Sequence, residues 1–119
     1  MKTTVVNVKV AYIRPEYDNL KEWMKGKDHV YIARRGIVFI DDKRFPPKES
    51  IFHNPFKITG AVDRDESMRL FGKYFRDKIK SDPDFKKEVL KLKGKTLGCW
   101  CKPLKCHGDI IARYVNGRE

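Results

Sequence analysis

The sequence predicts a compact single-domain α/β fold over residues 1–119, a Rossmann-like sandwich with a small sheet and helices packed on it. Three observations predict it. Val6, Val8 and Val10 alternate with Asn7 and Lys9, the period of a half-buried strand. Capped helical patterns with apolar residues three and four apart fill the second half. A short apolar strand pattern near the C-terminus leads into one more helical pattern.

Taken in order, Thr3 to Ala11 reads as the first strand, and Arg14-Pro15 breaks it. Asp18 is the expected cap of a short helix, Asn19 to Lys25, with Leu20, Trp23 and Met24 on one face. Val30 to Ala33 and Gly36 to Ile40 read as strands, with Asp41-Asp42 turning the chain after the second. Pro46-Pro47 stops strand pairing, and residues 45–60 form a long loop of the kind that more often carries function than not. Asp63 and Glu66 spell a capping box for a helix burying Met68, Phe71, Phe75 and Ile79. Asp82-Pro83 starts the next helix, Asp84 to Leu92. Thr96 to Cys101 is a strand, and Gly108 to Val115 a helix closed by Asn116-Gly117.

Composition narrows the function classes. A chain of 119 residues with 40% hydrophobic content can bury a core, which excludes wholesale disorder. Its longest apolar run, Ile37 to Ile40, is far short of the ~20 residues of a membrane span. With no signal-peptide block before the valines, a soluble cytosolic protein is expected, in the host cytoplasm if viral. Three cysteines within eight residues make a local site rather than a disulfide framework. The formal charge of +11 fits a polyanionic partner, a nucleotide or nucleic acid, or a solvated lysine-rich surface. The charge divides as +5 over residues 1–60 and +6 over 61–119, so any cationic face is assembled by folding.

The informative segment is Leu97-Gly98-Cys99-Trp100-Cys101-Lys102-Pro103-Leu104-Lys105-Cys106-His107-Gly108-Asp109. Strand alternation puts Cys99 and Cys101 on one face, and Cys106 and His107 open the last helix. The group falls at the carboxyl end of a strand, where open α/β sheets bind ligands. Three chemistries fit. Cys99, Cys101, Cys106 and His107 form a set that suits zinc, although adjacent Cys-His ligands are an unusual spacing. A helix N-terminus lowers a thiol pKa, which marks Cys106 as a reactive thiolate with His107 and Asp109 as base or acid. Alternatively the cysteines simply fill the core, and the helix start is a cap or a phosphate cradle.

Here the chain resembles domain of unknown function family 4326, found in bacteria, phages and large DNA viruses. The closing L-G-C-W-C-x-P-x-x-C-H-G-D segment carries the likeness, matched by Leu97 to Asp109. Val5 to Val8 match its opening V-V-N-V, and Tyr31-Ile32-Ala33-Arg34 its Y-I-G-R element, with Ala33 where Gly is usual. Ser50, Asn54, Pro55 and Phe56 match S-x-x-x-N-P-F, with Phe52-His53 where Trp-Gly is commoner. A similar strand followed by C-H-R in another α/β family implies that Cys106-His107 is the older core of the site, and that a zinc cage is not obligatory. The resemblance sharpens fold and site without supplying a reaction.

The expected ligand-binding residues are Tyr31, Arg34, Ser50, Asn54 and Cys101. Arg34 offers a charged donor, Tyr31 a stacking face, and Asn54 either a ligand contact or a bond within its own loop. The expected function is binding of a nucleotide or nucleic acid at the Cys/His pocket, with thiol or acid–base chemistry at Cys106, His107 and Asp109. The alternatives are a zinc-stabilised nucleic-acid-binding module without catalysis, and a viral or mobile-element protein that sequesters a nucleotide signal.

Overall fold

The computed structural model describes residues 2–117 and has the α/β class predicted from the sequence. Its main sheet has three parallel strands in the order β1 (Thr4–Asn7), β5 (Thr96–Cys99), β2 (His29–Tyr31). The last strand in sequence is thus the central one in space. A central parallel strand must be apolar on both faces, and Leu97, Gly98 and Cys99 are all buried.

Each face of β5 meets its own cluster. Leu97 and Cys99 belong to the larger one, with Phe71 and Phe75 of α3 (Arg64–Ser81), Val89 of α4 (Pro83–Leu90) and Ile111 of α5 (His107–Val115). Gly98 lies against the smaller one, under Trp23 of the short helix α2 (Leu20–Met24). A Cβ at Gly98 would stand 2.6 Å from Trp23 Cη2 and 2.7 Å from Val8 Cγ1. Gly108 has the same role on the other layer, since its Cβ would stand 2.7 Å from Ile32 Cδ1. Two glycines of the closing motif therefore let layers approach the sheet.

The elements depart from expectation in instructive places. The first strand stops at Asn7, because the Asn7 side chain accepts the Lys9 N–H over 2.9 Å and turns the backbone. Val10 to Ile13 then form a single helical turn, α1, and Val10 is exposed despite the alternation. Asn19, not Asp18, caps α2, accepting the Glu22 N–H. The third predicted strand is half of a hairpin, β3 (Val38–Ile40) and β4 (Lys43–Phe45), and β4 was not anticipated. Asp41 and Asp42 both take positive φ in its two-residue turn, as the twist of a hairpin demands.

Asp63 caps α3 as expected, but the Glu66 carboxylate turns to Arg69 instead of closing the box. Asp82 caps α4 through the Phe85 N–H. β5 ends at Cys99, and α5 begins one residue earlier than expected, at His107. Asn116 reaches across to Thr3, exchanging two hydrogen bonds with its backbone, and so fastens the end of α5 to the start of β1. Among the described residues no helix is long and apolar enough to cross a membrane.

Candidate functional site

The carboxyl ends of β5 and β2 open onto a cavity of about 290 Å³. Cys99, Trp100 and Cys101 reach it from the end of β5, Ala33 and Arg34 from the end of β2. The long loop supplies Asn54, Phe56, Lys57 and Ile58, α3 supplies Arg64, Ser67 and Met68, and α5 supplies His107. Among the described residues its charged side chains are Arg34, Lys57 and Arg64, and no carboxylate lines it.

Local bonding sets the loop after β5. Asn7 Nδ2 donates to the Lys102 carbonyl over 2.6 Å, and Leu104 N–H closes a turn onto the Cys101 carbonyl over 2.8 Å. The chain then enters α5 through a reciprocal cap. The Cys106 sulfur accepts the Gly108 N–H, and an Asp109 carboxylate oxygen accepts the Cys106 N–H. The sequence places a capping box at Asp63–Glu66; the reciprocal one is at Cys106–Asp109, with cysteine in the serine position.

The three thiols are free, with Cys99 and Cys106 in the larger core cluster and Cys101 packed against it. Cys99 and Cys106 are each 1% exposed, whereas Cys101 is partly open to the cavity. The expectation that the helix N-terminus lowers the Cys106 thiol is not met. The neighbouring Cys101 and Cys99 thiols, and then its burial, push the Cys106 pKa up. Cys101 is lowered to about 5, first by the Cys106 thiol and then by Arg64 and Lys9 against its partial burial. Cys99 is also lowered, again by Cys106 first. Of the two lowered thiols, Cys101 is the one with cations beside it and an opening to the cavity.

His107 is a buried strut. Its Nε2–H donates to the Ile32 carbonyl over 2.7 Å, joining α5 to the end of β2. Its Nδ1 lies 3.7 Å from Cys106 Sγ, and the Phe71 ring meets its imidazole edge-on. Burial lowers its pKa to about 4, so it is neutral near pH 7. Among the described residues no group of three or more His, Cys, Asp or Glu side chains is arranged to hold a metal ion.

The predicted ligand contacts divide. Arg34 and Cys101 face the cavity. Asn54 lines it too, but its side chain is engaged: Nδ2 donates to Ser67 Oγ over 2.9 Å and Oδ1 accepts the Phe56 N–H over 2.9 Å. Its carbonyl accepts from Arg34 Nη2 over 2.7 Å, which holds the guanidinium at the rim. Tyr31 is no stacking face. It accepts Trp100 Nε1–H over 2.7 Å and donates to the Arg34 carbonyl, and burial raises its pKa to about 12. Ser50 shapes its own loop, its hydroxyl accepting the Phe52 N–H. Asp109 pairs with Lys102 away from the cavity.

Sequence reasoning missed Lys57 and Arg64, and that the half-buried Trp100 also lines the cavity. One signal was available for Arg64. A cation in the first turn of α3 opposes the helix dipole, and such a misfit suggests a reason outside the helix. Trp100 also walls a larger cavity of about 690 Å³ on the opposite side, among Val8, Leu20, Val38 and Ile40. None of the thiols, nor His107, lines that cavity.

Fold and site together define a small α/β protein with a thiol cluster and a cationic cavity at the carboxyl edge of a parallel sheet. Residues 16–117 match the family described as "Domain of unknown function (DUF4326)", and the chain belongs to that family. A relative from Enterobacteria phage T4, described as "Uncharacterized 12.4 kDa protein in nrdA-td intergenic region", is 48% identical over 56 residues. The match covers 47% of this chain and 52% of the relative, so the chain spans about half the length of the curated relative it matches. No solved structure matches.

Proposed function

We propose that the cavity binds a phosphate-bearing nucleotide, with the Cys101 thiolate beside it for nucleophilic or proton-transfer chemistry. The observation that carries this reading is the lining: among the described residues Arg34, Lys57 and Arg64 with no carboxylate, against the apolar surfaces of Ile37, Phe56, Ile58, Met68 and Trp100. Guanidinium and ammonium groups favour a phosphate, and the aromatic walls favour a base. A volume of about 290 Å³ suits one nucleotide unit rather than a long ligand.

The roles of the sequence-predicted acid–base pair change in this reading. His107 holds the end of β2 and Asp109 caps α5, while Cys101 is the group open to a ligand. In a second reading the same cavity holds a nucleotide signal without turnover.

Calorimetric titration with nucleoside 5′-monophosphates, the matching nucleosides, inorganic phosphate and short single-stranded oligonucleotides tests the proposal. Monophosphates are expected to bind at least roughly tenfold tighter than nucleosides, and Lys57→Ala and Arg64→Gln each to weaken them by a similar factor. Equal binding of nucleoside and nucleotide, or unchanged binding in both variants, overturns it. Product analysis of the bound nucleotide separates turnover from sequestration.

A further inference from the structure

We propose that Cys101 and Cys106 form a peroxide-reactive dithiol, in which Cys101 takes the oxidant and Cys106 closes a disulfide. This activity does not require a nucleotide and stands apart from the preceding reading.

Three geometric facts support it. All three thiols are free and pack into one cluster where β5 gives way to α5, Cys99 and Cys106 inside it and Cys101 against it. Their exposures are graded: Cys101 opens onto the cavity, while Cys106 is 1% exposed behind it. A small oxidant arriving from solvent therefore meets Cys101 first. The chain between them is already turned back, because the Leu104 N–H bonds the Cys101 carbonyl over 2.8 Å. Arg64 and Lys9 lie near Cys101 and favour both its thiolate and the charge that develops on a leaving hydroxide. Cys99 packs in the same cluster as Cys106, but it is fixed in the central strand, its carbonyl accepting the Val8 N–H over 2.9 Å.

The chemistry balances with hydrogen peroxide as the oxidant. The Cys101 thiolate attacks one peroxide oxygen and the O–O bond breaks. Cys101 becomes a sulfenic acid, and the departing hydroxide takes a proton from solvent to give water. The Cys106 sulfur then attacks the Cys101 sulfur, and the S–O bond breaks. That hydroxide leaves with the Cys106 proton as a second water. The dithiol loses two electrons and one peroxide is reduced to two waters. The product withdraws the thiolate from the cavity, and a reducing thiol restores it.

The test is to treat the reduced full chain with one equivalent of hydrogen peroxide, block remaining thiols and map the peptides by mass spectrometry. A Cys101–Cys106 disulfide reversed by dithiothreitol is expected, with Cys99 alkylated. The wild-type rate should change less than about twofold between pH 8 and pH 6. A free cysteine peptide should slow by roughly two orders of magnitude as its thiolate is lost. Cys106→Ser, which keeps a good cap for α5, should halt at a sulfenic acid trapped by a 1,3-dione probe. Cys99→Ser should still form the bond. Oxidation spread evenly over the three cysteines, a bond to Cys99, or a wild-type pH dependence like the peptide's overturns the proposal without any variant being needed.

Discussion

Asn7 and Lys102 are joined by a 2.6 Å hydrogen bond from the Asn7 amide to the Lys102 carbonyl. The residues are 95 apart in sequence, and the bond ties the exit of β1 to the loop that carries Cys101. The same side chain accepts the Lys9 N–H, so one buried amide ends a strand and fixes the neighbouring loop. Asn7→Ala leaves the Lys102 carbonyl and the Lys9 N–H without these partners. It should cost about 1–3 kcal/mol in urea unfolding. The Cys101 loop should also loosen, seen as faster hydrogen exchange at Leu104, whose N–H closes the turn.

Gly98→Ala tests the close approach of the two layers. The added Cβ would meet Trp23 Cη2 at 2.6 Å, and neither the central strand nor the buried indole has room to move. Overpacking of this kind should cost about 1–3 kcal/mol. Trp23→Phe removes the outer indole ring, so Gly98→Ala should cost less in that background than in wild type. A double-mutant cycle with additive costs would contradict this.

Much of the fold was legible because the signals were local. Asp63, Asp82-Pro83 and Asn116-Gly117 mark helix ends through bonds to their near neighbours, and the valine pattern marks the first strand, although of Val6, Val8 and Val10 only Val6 lies in it. The clustering of Cys99, Cys101, Cys106 and His107 was legible for the same reason. What escaped depends on partners far away in sequence. Strand β4 reads as polar Lys43-Arg44 beside prolines, and only pairing with β3 makes it a strand. Asn54 looks free in the sequence until Ser67 and Phe56 claim its amide. The Cys106 pKa rises because of the neighbouring Cys101 and Cys99 thiols and then burial, partners that folding brings together, whereas the helix N-terminus is the part visible in sequence.

His107 should make the protein acid-sensitive. Its pKa falls from the ordinary 6.5 to about 4, with burial the main cause. Between those values the unfolded chain binds a proton that the folded chain does not. Its stabilising contribution is therefore complete above pH 6.5 and is lost as pH falls towards 4, by about 1.4 kcal/mol per unit at its steepest. Urea unfolding at pH 7, 6 and 5 checks this. His107→Gln can still donate to the Ile32 carbonyl but does not titrate, and it should flatten the slope between pH 6.5 and 5.

The thiolate assignment is open to direct measurement by alkylation across pH. Cys101 should react with iodoacetamide along a curve that rises through an inflection near pH 5 and is flat by pH 7. Cys99 and Cys106, both 1% exposed, should lag far behind in the folded protein. The Cys106 thiol is the largest cause of the low value and Arg64 the leading charged one. Cys106→Ala should therefore raise the inflection most. Arg64→Gln removes a cation beside the thiolate and should raise it by about one pH unit. The order matters more than the size, because a purely structural loss at either position would change reactivity without moving the inflection. An Arg64→Gln curve that superimposes on wild type would remove the guanidinium from the account and leave the Cys106 thiol as the cause of the low inflection.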